Sequence, residues 1–250
     1  MNIIAIVQAR LGSTRLPRKV LADLAGRPLI HHVFERVSAS SKVTGSILAT
    51  TDAPEDDELS NWALENQLLV FRGSQEDVLE RFYYAALASN ADIIVRITAD
   101  DAFKDPQVID SVVSALLSNS AEYASNTIEP SFPEGVDVEV FRFDALERAH
   151  KTASRLFERE HVTPYIWQNP ELFKLESVVN ARDLSHMRWT IDTQADLDFA
   201  RAVYYKLYQP GKVFLLEDII TLLESSPEIS KLMPKIPRNQ GLTKSMEGEQ

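Results

Sequence analysis

Residues 2–19 read NIIAIVQARLGSTRLPRK, an apolar run that passes directly into a basic loop. An apolar, β-branched run of this kind predicts a buried strand at residues 3–7. The loop that follows offers backbone N–H groups near Gly12 and Ser13 that can line an anion, and cationic side chains that can neutralise it. It matches neither GxxxxGK[ST] nor GxGxxG, so it is neither a Walker A loop nor a Rossmann fingerprint. A polyphosphate-binding loop and an exposed basic loop are the two interpretations that remain.

Short apolar runs and helical patterns alternate through the first half of the chain. The sequence predicts strands at 3–7, 46–50, 68–71 and 93–97, and helices at 28–38, 56–66, 75–88 and 106–118. Strands separated by helices of this length indicate βαβ units and a mainly parallel sheet. Right-handed crossovers place the loops after these strands along one edge, where ligand crevices form. Three polar segments fall in such loops, at 9–19, 51–55 and 98–104.

The pattern is less regular in the second half. It predicts a loop at 127–135, strands at 136–141, 173–178 and 187–191, and helices at 146–153, 160–168, 194–207 and about 215–224. Either Asp192 or Thr193 can cap the helix at 194–207. The last residues are polar and poor in apolar side chains, which predicts a loose tail over 234–250. We expect a single domain over residues 1–233, with an elaboration at about 123–168.

The composition excludes several classes of protein. The chain has 250 residues, of which 44% are hydrophobic, and a net charge of -11, which argues against a general nucleic-acid binder. Basic residues nevertheless concentrate in the first loop, which favours a small anion there. The absence of cysteine excludes disulfides and zinc–thiolate sites and suits a reducing cytoplasm. The N-terminal apolar run is too short for a signal peptide or a membrane span. We therefore expect a cytoplasmic protein that binds neither nucleic acid nor membrane.

Two aspartates that follow predicted strands are candidate magnesium ligands. Asp100 comes after the strand at 93–97, and Asp192 comes after the strand at 187–191. Mg²⁺ is usually held by one or two carboxylates together with phosphate oxygens and water. The structural alternatives are a turn residue for Asp100 and a helix cap for Asp192.

Seven ordered blocks of sequence carry a resemblance to a known family. The first is Ala-Arg-x-Gly-Ser-x-Arg-x-Pro-x-Lys at 9–19. The others are TD at 51–52, FRGSQEDVL at 71–79, VRITAD at 95–100, VDVEVF at 136–141, REHVTPY at 159–165 and RWTIDT at 188–193. Together they resemble the cytidylyltransferases that make CMP-activated sugars, in particular the spore-coat-polysaccharide-biosynthesis protein F subgroup. The wider family includes the CMP-KDO synthetases and the acylneuraminate cytidylyltransferases. The resemblance covers about residues 2–225.

The resemblance implies a fold and an activity. The fold is a three-layer α/β/α sandwich with a mainly parallel sheet, of the nucleotide-diphospho-sugar-transferase type, with a dimerisation segment at about 123–168 that makes a homodimer. The activity is transfer of CMP from CTP to a small acidic sugar or related acceptor, with Mg²⁺ as cofactor and release of pyrophosphate. The implied catalytic residues are Arg10, Lys19 and Asp100, and the implied magnesium ligands are Asp100 and Asp192.

The resemblance also assigns binding residues. For the nucleotide they are Ala9, Arg10, Gly12, Ser13, Arg15, Lys19, Arg72, Asp77 and Arg96. The structural alternatives are a first-turn helix acid for Asp77 and a paired structural cation for Arg96.

The acceptor candidates come from the residues themselves. Asp137 and Glu139 are two positions apart on a predicted strand and share a face, so they are candidates to line an acceptor pocket, and the alternative is an exposed strand face. His161 can bind the acceptor or carry a proton, and a surface or interface position is its alternative. Arg188 can bind an acceptor carboxylate.

The sequence departs from the subgroup in two places. Relatives read Thr-Gly-Asp-Cys-Pro where this chain has Thr98-Ala99-Asp100-Asp101-Ala102, so Asp101 is either a second ligand or faces away. Arg18 stands where many relatives have glycine, and we expect its side chain to point to solvent.

Two other functions remain open. A glycosyltransferase of related architecture can use Asp100 and Asp101 as an acidic pair for a nucleotide sugar, although the basic first loop suits a triphosphate better. A catalytically silent nucleotide-binding or assembly protein is also compatible with the altered stretch at 99–102. Against it stands the retention of the four residues Arg10, Lys19, Asp100 and Asp192.

Overall fold

The structure is a computed structural model that describes residues 1–248, apart from the side chain of Lys244. Its strands are β1 (Ile3–Gln8), β2 (Asp23–Leu24), β3 (Arg27–Pro28), β4 (Gly45–Thr51), β5 (Leu69–Gly73), β6 (Ile93–Thr98), β7 (Tyr123–Ser125), β8 (Glu139–Arg142) and β9 (Leu175–Ser177). Its helices are α1 (Leu29–Ser38), α2 (Asp57–Glu65), α3 (Val78–Ala88), α4 (Pro106–Ser118), α5 (Phe143–Thr152), α6 (Leu156–His161), α7 (Pro164–Trp167), α8 (Gln194–Leu207), α9 (Leu216–Ser225), α10 (Pro227–Ser230) and α11 (Gln240–Glu247). Short 3₁₀ turns cover Lys19–Leu21 and Pro54–Asp56.

Within residues 1–248, seven strands form one mixed sheet in the order β5-β4-β1-β6-β8-β7-β9. Strands β5, β4, β1 and β6 are all parallel, with Val7 of β1 opposite Leu48 of β4 and Ile97 of β6. Strand β8 runs antiparallel to both β6 and β7, and β9 is parallel to β7. The predicted α/β class and the mainly parallel sheet are therefore confirmed. The carboxyl ends of β1, β4 and β6 meet at one edge, which is the edge that carries the basic first loop.

Helices cover both faces of this sheet, which gives the three layers. Successive side chains of a strand point to opposite faces. In β1, Ile3, Ala5 and Val7 pack into one core, and Ile4 and Ile6 pack into the other. The first core is closed by α1, α4, α8 and α9, and the second by α3 and α5. A strand that is buried on both faces is expected to be continuously apolar, which is why residues 3–7 show no polar alternation.

Three details of the second half differ from the sequence-based expectation. The predicted strand at 187–191 is wrong: this segment makes a single bridge, between Arg188 and Glu134, and otherwise bonds to loops. The predicted helix at 160–168 is divided at Val162, whose φ of 73° ends α6 before a proline starts α7. Strand β7 was not predicted because three residues are too short for an alternation to be visible.

The segment expected to be a loose tail contains a helix in its described part. Helix α11 follows Arg238 and Asn239, which bond to residues more than a hundred positions earlier in the chain. Such distant partners give no local signal in the sequence. Glu249 and Gln250 lie outside the described residues. Among the helices of residues 1–248, none has the length and apolar character needed to cross a membrane.

Candidate active site

The basic loop after β1 is anchored at its base. The backbone N–H of Leu11 donates to Oδ1 of Asp56 at 2.7 Å, and the Thr51 hydroxyl donates to the other oxygen of this buried carboxylate. At its far end, Arg18 adopts a left-handed backbone conformation, with φ of 58°, immediately before the 3₁₀ turn that begins at Lys19. The side chain of Arg18 then pairs with exposed Glu58 at 2.5 Å and points away from the crevice, as expected.

Lys19 joins the two candidate magnesium ligands. Its Nζ lies 2.6 Å from Oδ2 of Asp100 and 2.8 Å from Oδ1 of Asp192, and 12% of its side chain is exposed. Burial alone lowers the pKa of Lys19, but the two carboxylates outweigh burial and raise it above its usual value. Burial likewise favours a higher pKa for Asp100, yet the Lys19 ammonium holds that pKa below its usual value. Lys19 and Asp100 therefore each favour the ionised form of the other at neutral pH.

Helix α8 orients Asp192 without using its carboxylate as a cap. The cap is Thr193, whose side chain accepts from the N–H of Asp196, while the Asp196 carboxylate accepts from the N–H of Thr193 at 2.7 Å. The Asp192 carboxylate is thus left for the crevice. One of its oxygens faces Lys19, and the other accepts from Nη2 of Arg188 at 2.6 Å.

The donor set at this point fits magnesium. Asp100 and Asp192 already share one cation between their oxygens. No cluster of three or more His, Cys, Asp or Glu able to hold a metal occurs in residues 1–248, so an all-protein cage is not built there. Two carboxylates without further protein ligands are the arrangement that Mg²⁺ uses when substrate phosphates and water complete its shell.

A cavity of about 780 Å³, which we call the first cavity, opens beside Lys19. Arg10 is exposed in it and makes no ion pair with any residue that the structure describes, so its charge is available to an anion. Arginine forks and loop N–H groups are the usual partners of phosphate oxygens. The predicted nucleotide residues that line this cavity are Ala9, Arg10, Gly12, Ser13, Arg15, Lys19 and Asp77.

Two further arginines line the first cavity and were not predicted. Arg81 is 3% exposed and donates to the Ser74 carbonyl at 2.7 Å; burial, and then the nearby charge of Arg10, lower its pKa to about 10. Arg159 contacts Oδ2 of Asp77 through Nε at 2.9 Å and Nη2 at 2.5 Å. A signal for Arg81 exists in the sequence, because Asp77 and Arg81 are four positions apart at the start of one helix and share a face.

A second cavity of about 440 Å³ lies on the other side of the carboxylate pair. Residues that line both cavities are Arg15, Thr98, Asp100, His161 and Asp192. Ligands in the two cavities therefore meet at Asp100 and Asp192.

Glu139 and Arg96 face each other across β6 and β8 and line the second cavity. Their side chains form an ion pair, and Glu139 also accepts from the Tyr123 hydroxyl at 2.7 Å and the Thr163 hydroxyl at 2.5 Å. Burial favours a higher pKa for Glu139, but Arg96 holds that pKa below its usual value. Arg96, predicted to bind nucleotide, thus lies in the second cavity and lines only that one.

The remaining predicted acceptor residues also line the second cavity. His161 is kept neutral at pH 7, because burial and then the charge of Arg96 lower its pKa. Asp137 pairs with Arg238, and burial raises the Asp137 pKa above its usual value. Arg188 is 5% exposed and is shared by three carboxylates, so it holds the site together rather than presenting a free charge. Those carboxylates belong to Glu134, Asp192 and Asp196.

Asp101, which is particular to this chain, is satisfied within its own loop. Its carboxylate lies 2.7 Å from Nζ of Lys104 and accepts from the Thr98 hydroxyl at 2.5 Å. Lys104 is buried and also donates to the carbonyl of Asp137. Asp100 and Asp101 therefore have different partners, and only Asp100 faces Lys19.

Arg72 is a second predicted nucleotide residue that the structure places outside the first cavity. Its guanidinium donates to the carbonyls of Thr51 and Ala53, both at 2.9 Å, and pairs with Asp57 at 2.7 Å. It lines neither cavity. Arg72 therefore supports the loop after β4, an outcome that the motif alone did not reveal.

The site combines a basic loop at the end of β1 with a lysine-bridged aspartate pair, and two cavities meet there. This combination on an α/β sandwich is typical of a nucleotidyltransferase. The chain belongs to the cytidylyltransferase family, whose model matches residues 4–219. It is 39% identical over 236 residues to an uncharacterised protein of Methanocaldococcus jannaschii, covering 93% of this chain and 94% of that protein. It is 33% identical over 243 residues to the spore coat polysaccharide biosynthesis protein SpsF of Bacillus subtilis, covering 91% of this chain and 96% of that protein.

Solved structures agree on the fold. A cytidylyltransferase from Leptospira borgpetersenii superposes with a TM-score of 0.88 at 32% identity, covering 96% of this chain and 100% of that one. The CMP:2-keto-3-deoxy-manno-octonic acid synthetase complexed with CTP superposes with a TM-score of 0.65 at 17% identity, covering 83% of this chain and 100% of that one. The second likeness concerns the fold alone.

Proposed function

We propose that this protein transfers CMP from CTP to a hydroxyl group of a small acidic sugar or related acceptor, with release of pyrophosphate. The observation that carries the proposal is the position of Asp100 and Asp192 at the junction of two cavities. The first cavity has the loop amides and free Arg10 that a triphosphate needs, and the second has a polar lining suited to a hydroxyl-rich acceptor.

The reaction joins an acceptor oxygen to the α-phosphorus of CTP and breaks the bond from that phosphorus to the pyrophosphate oxygen. The acceptor hydroxyl loses its proton, and the charge that builds on pyrophosphate needs cations. Such reactions are catalysed mainly by positioning and electrostatic stabilisation. Arg10 and Lys19 supply cationic charge in the first cavity, and Arg15 lines both cavities, where it can contact either ligand.

Magnesium is the cofactor that we propose. Asp100 and Asp192 would hold it, and it would neutralise phosphate charge when bound. Lys19 contacts both carboxylates and so holds them close together, and its ammonium lowers the pKa of Asp100, which favours the ionised form that a divalent cation requires.

The acceptor class rests on the family relationship together with the lining of the second cavity. Asp137, Glu139, His161 and Arg188 line that cavity, and a neutral His161 can accept a proton or a hydrogen bond. The Bacillus subtilis relative is named for spore coat polysaccharide biosynthesis. We therefore place the product among activated precursors of polysaccharides or glycoconjugates, made in the cytoplasm.

Thermal unfolding with each of the four nucleoside triphosphates, with and without Mg²⁺, tests the nucleotide assignment. A ligand that binds the folded state at a hundredfold excess over its dissociation constant stabilises by about 2.7 kcal/mol. For a chain of this size, each kcal/mol raises the melting temperature by roughly 2–4 °C. We expect a CTP-selective rise that Mg²⁺ enlarges. A shift with nucleotide sugars and with none of the triphosphates would favour a glycosyltransferase instead.

Pyrophosphate release from CTP tests the acceptor assignment. The panel is 3-deoxy-manno-octulosonate and N-acetylneuraminate as acidic sugars, with glucose as a neutral control. Release that requires an acidic sugar supports the proposal. A CTP shift without release from either acid would retain the nucleotide site and reject these acceptors.

We also propose that the protein is a homodimer through the region at about 123–168, as its family relationship implies. Light scattering coupled to gel filtration should give twice the chain mass of 28.2 kDa. A mass equal to one chain at micromolar concentration would reject the dimer without affecting the site.

A further inference from the structure

The end of the chain forms part of the second cavity. Five of the six residues at 237–242, which we call the strap, line it: Pro237, Asn239, Gln240, Gly241 and Leu242. The strap lies beyond residue 219, where the match to the family model ends. The family relationship therefore says nothing about the role of the strap in this cavity. The strap overlaps the start of helix α11.

The strap is fastened at its start by Arg238. The guanidinium donates to the carbonyl of Phe132 at 2.9 Å and to the carboxylate of Asp137. The next N–H, that of Asn239, donates to Oε1 of Glu134 at 2.9 Å. Both carboxylates also line the second cavity. Arg238 itself does not line the second cavity, and its guanidinium pairs with Asp137 instead of facing a ligand.

A second attachment lies within helix α11. The Ser245 hydroxyl donates to Oε2 of Glu160 at 2.9 Å and lies 3.0 Å from Nε2 of His161. His161 lines both cavities. The strap and α11 thus extend from Asp137 in the second cavity to His161, one of the residues that line both cavities.

We propose that the strap is a movable wall that completes the acceptor site and contributes to acceptor selection, with Arg238 as the positioning residue that holds it closed. This inference rests on the proposed function for the identity of the acceptor. The strap contributes Asn239 and Gln240, whose side chains end in amides, and exposed Gly241 in the first turn of α11. Amides both donate and accept, so this wall suits the hydroxyl groups of a sugar rather than a second charge.

Closure by so few contacts is reversible. Arg238 is only partly buried, and the strap joins the body of the protein mainly through hydrogen bonds of exposed or partly buried groups. Segments with few buried apolar contacts open locally at low free-energy cost. An acceptor can therefore enter by local opening of the strap, without unfolding of the sheet.

The first test needs no knowledge of the acceptor. Diethyl pyrocarbonate modifies neutral imidazoles, and mass spectrometry reads each histidine separately in the full chain. In Arg238→Ala we expect His161 to be modified about tenfold faster, because loss of the two Arg238 contacts makes local opening of the strap more frequent. Exposed His186 serves as the internal reference. The matched control is Lys235→Ala, which removes an exposed cation that lies just before the strap and lines neither cavity.

Each outcome of this labelling experiment decides a point. Equal rates of His161 modification in the wild type and in Arg238→Ala overturn the proposal that the strap closes the second cavity. An equal increase in Lys235→Ala shows a general charge effect and overturns the role of Arg238. The CTP-induced melting shift is measured on the same samples. If CTP does not raise the melting temperature of the wild type, the proposed nucleotide site is rejected, while the labelling comparison remains valid. Failure of the proposed function and failure of the strap proposal can therefore be distinguished.

The second test separates positioning from general damage. With the acidic acceptor found in the pyrophosphate assay, Arg238→Ala should raise the acceptor KM about tenfold and leave the CTP KM within about twofold. An unchanged acceptor KM, or equal increases in both, contradicts a role at the acceptor wall. If neither acid is used, the labelling comparison decides alone.

Discussion

At the scale of the residue, the role of each cation in the site depends on which carboxylates it pairs with. Lys19 and Arg18 are adjacent cations in one loop, yet they have opposite environments. Lys19 is mostly buried between Asp100 and Asp192, whereas Arg18 pairs with an exposed glutamate, a contact that salt and solvent weaken. The left-handed backbone at Arg18 is the local reason for the difference, because it lets consecutive side chains diverge.

Lys19→Ala should therefore lower kcat by roughly 10²–10³, the usual cost of removing one electrostatic partner from a transition state. It also leaves two carboxylates facing each other without their shared cation. Arg18→Ala is the matched control and should keep near-normal turnover. Steady-state pyrophosphate release measures both variants, and circular dichroism checks that both are folded. Normal turnover in Lys19→Ala, or equal losses in the two variants, would remove Lys19 from the catalytic assignment.

At the scale of the element, prediction from the sequence succeeded where one element carried its own signal. Strand β1 and helices α4 and α8 have clear periodicity and lie where expected. The segment at 187–191 is apolar enough to predict a strand, but its neighbour is a loop, so no ladder forms. Asp192 nevertheless reaches the crevice, because Thr193 provides the cap and frees it.

The residues that sequence reasoning missed depend on partners far along the chain. Arg238 meets Asp137 across 101 positions, and no local pattern announces such a contact. Arg72 shows the reverse case, since its motif suggested nucleotide while its own loop takes up its guanidinium. Motifs place residues at the correct edge of the sheet, but only packing decides which cavity each side chain enters.

Gly135 is the point where two loops of the site approach most closely. Its φ is 101°, and a Cβ there would lie 2.6 Å from the N of Thr190 and 2.7 Å from the C of Trp189. Those residues belong to the segment that carries Arg188 and Asp192. The approach is fixed by the backbone, where Trp189 N–H donates to the Glu134 carbonyl at 2.7 Å.

Gly135→Ala should therefore destabilise the protein more than Gly211→Ala. Both substitutions cost about 1–2 kcal/mol for an alanine at positive φ, but Gly211, with φ of 77°, has no atom within 4 Å of an added Cβ. The clash at Gly135 adds about 1–3 kcal/mol of overpacking and should also lower turnover by displacing Asp192. Urea unfolding and the pyrophosphate assay measure the two effects. Equal stabilities for the two variants would show that the close approach is relaxed at little cost.

At the scale of the whole molecule, the site is one ionic network drawn from every part of the sequence. Cations from the first loop, from β6, from the segment at 187–191 and from the strap face carboxylates that follow β6, that precede and begin β8, and that follow the segment at 187–191. The chain as a whole carries a net charge of -11, so a concentration of cations in this crevice favours an anionic ligand there. Because each buried ion has partners, removing one leaves another uncompensated, and the cost spreads over several elements.

This organisation also makes global stability depend on pH through His161. Its folded-state pKa is lowered by burial and then by Arg96, whereas an unfolded histidine titrates near about 6.5. As pH falls from about 7.5 to about 5, the unfolded chain therefore binds a proton that the folded chain does not, and stability decreases. His161→Gln removes this contribution, so the free energy of unfolding of the wild type should fall relative to that of the variant over this range. Urea titrations at each pH measure the difference, with exposed His186→Gln as the control. Parallel curves for wild type and His161→Gln would mean that His161 titrates equally in both states, and the neutral imidazole assigned to the acceptor cavity would have to be abandoned.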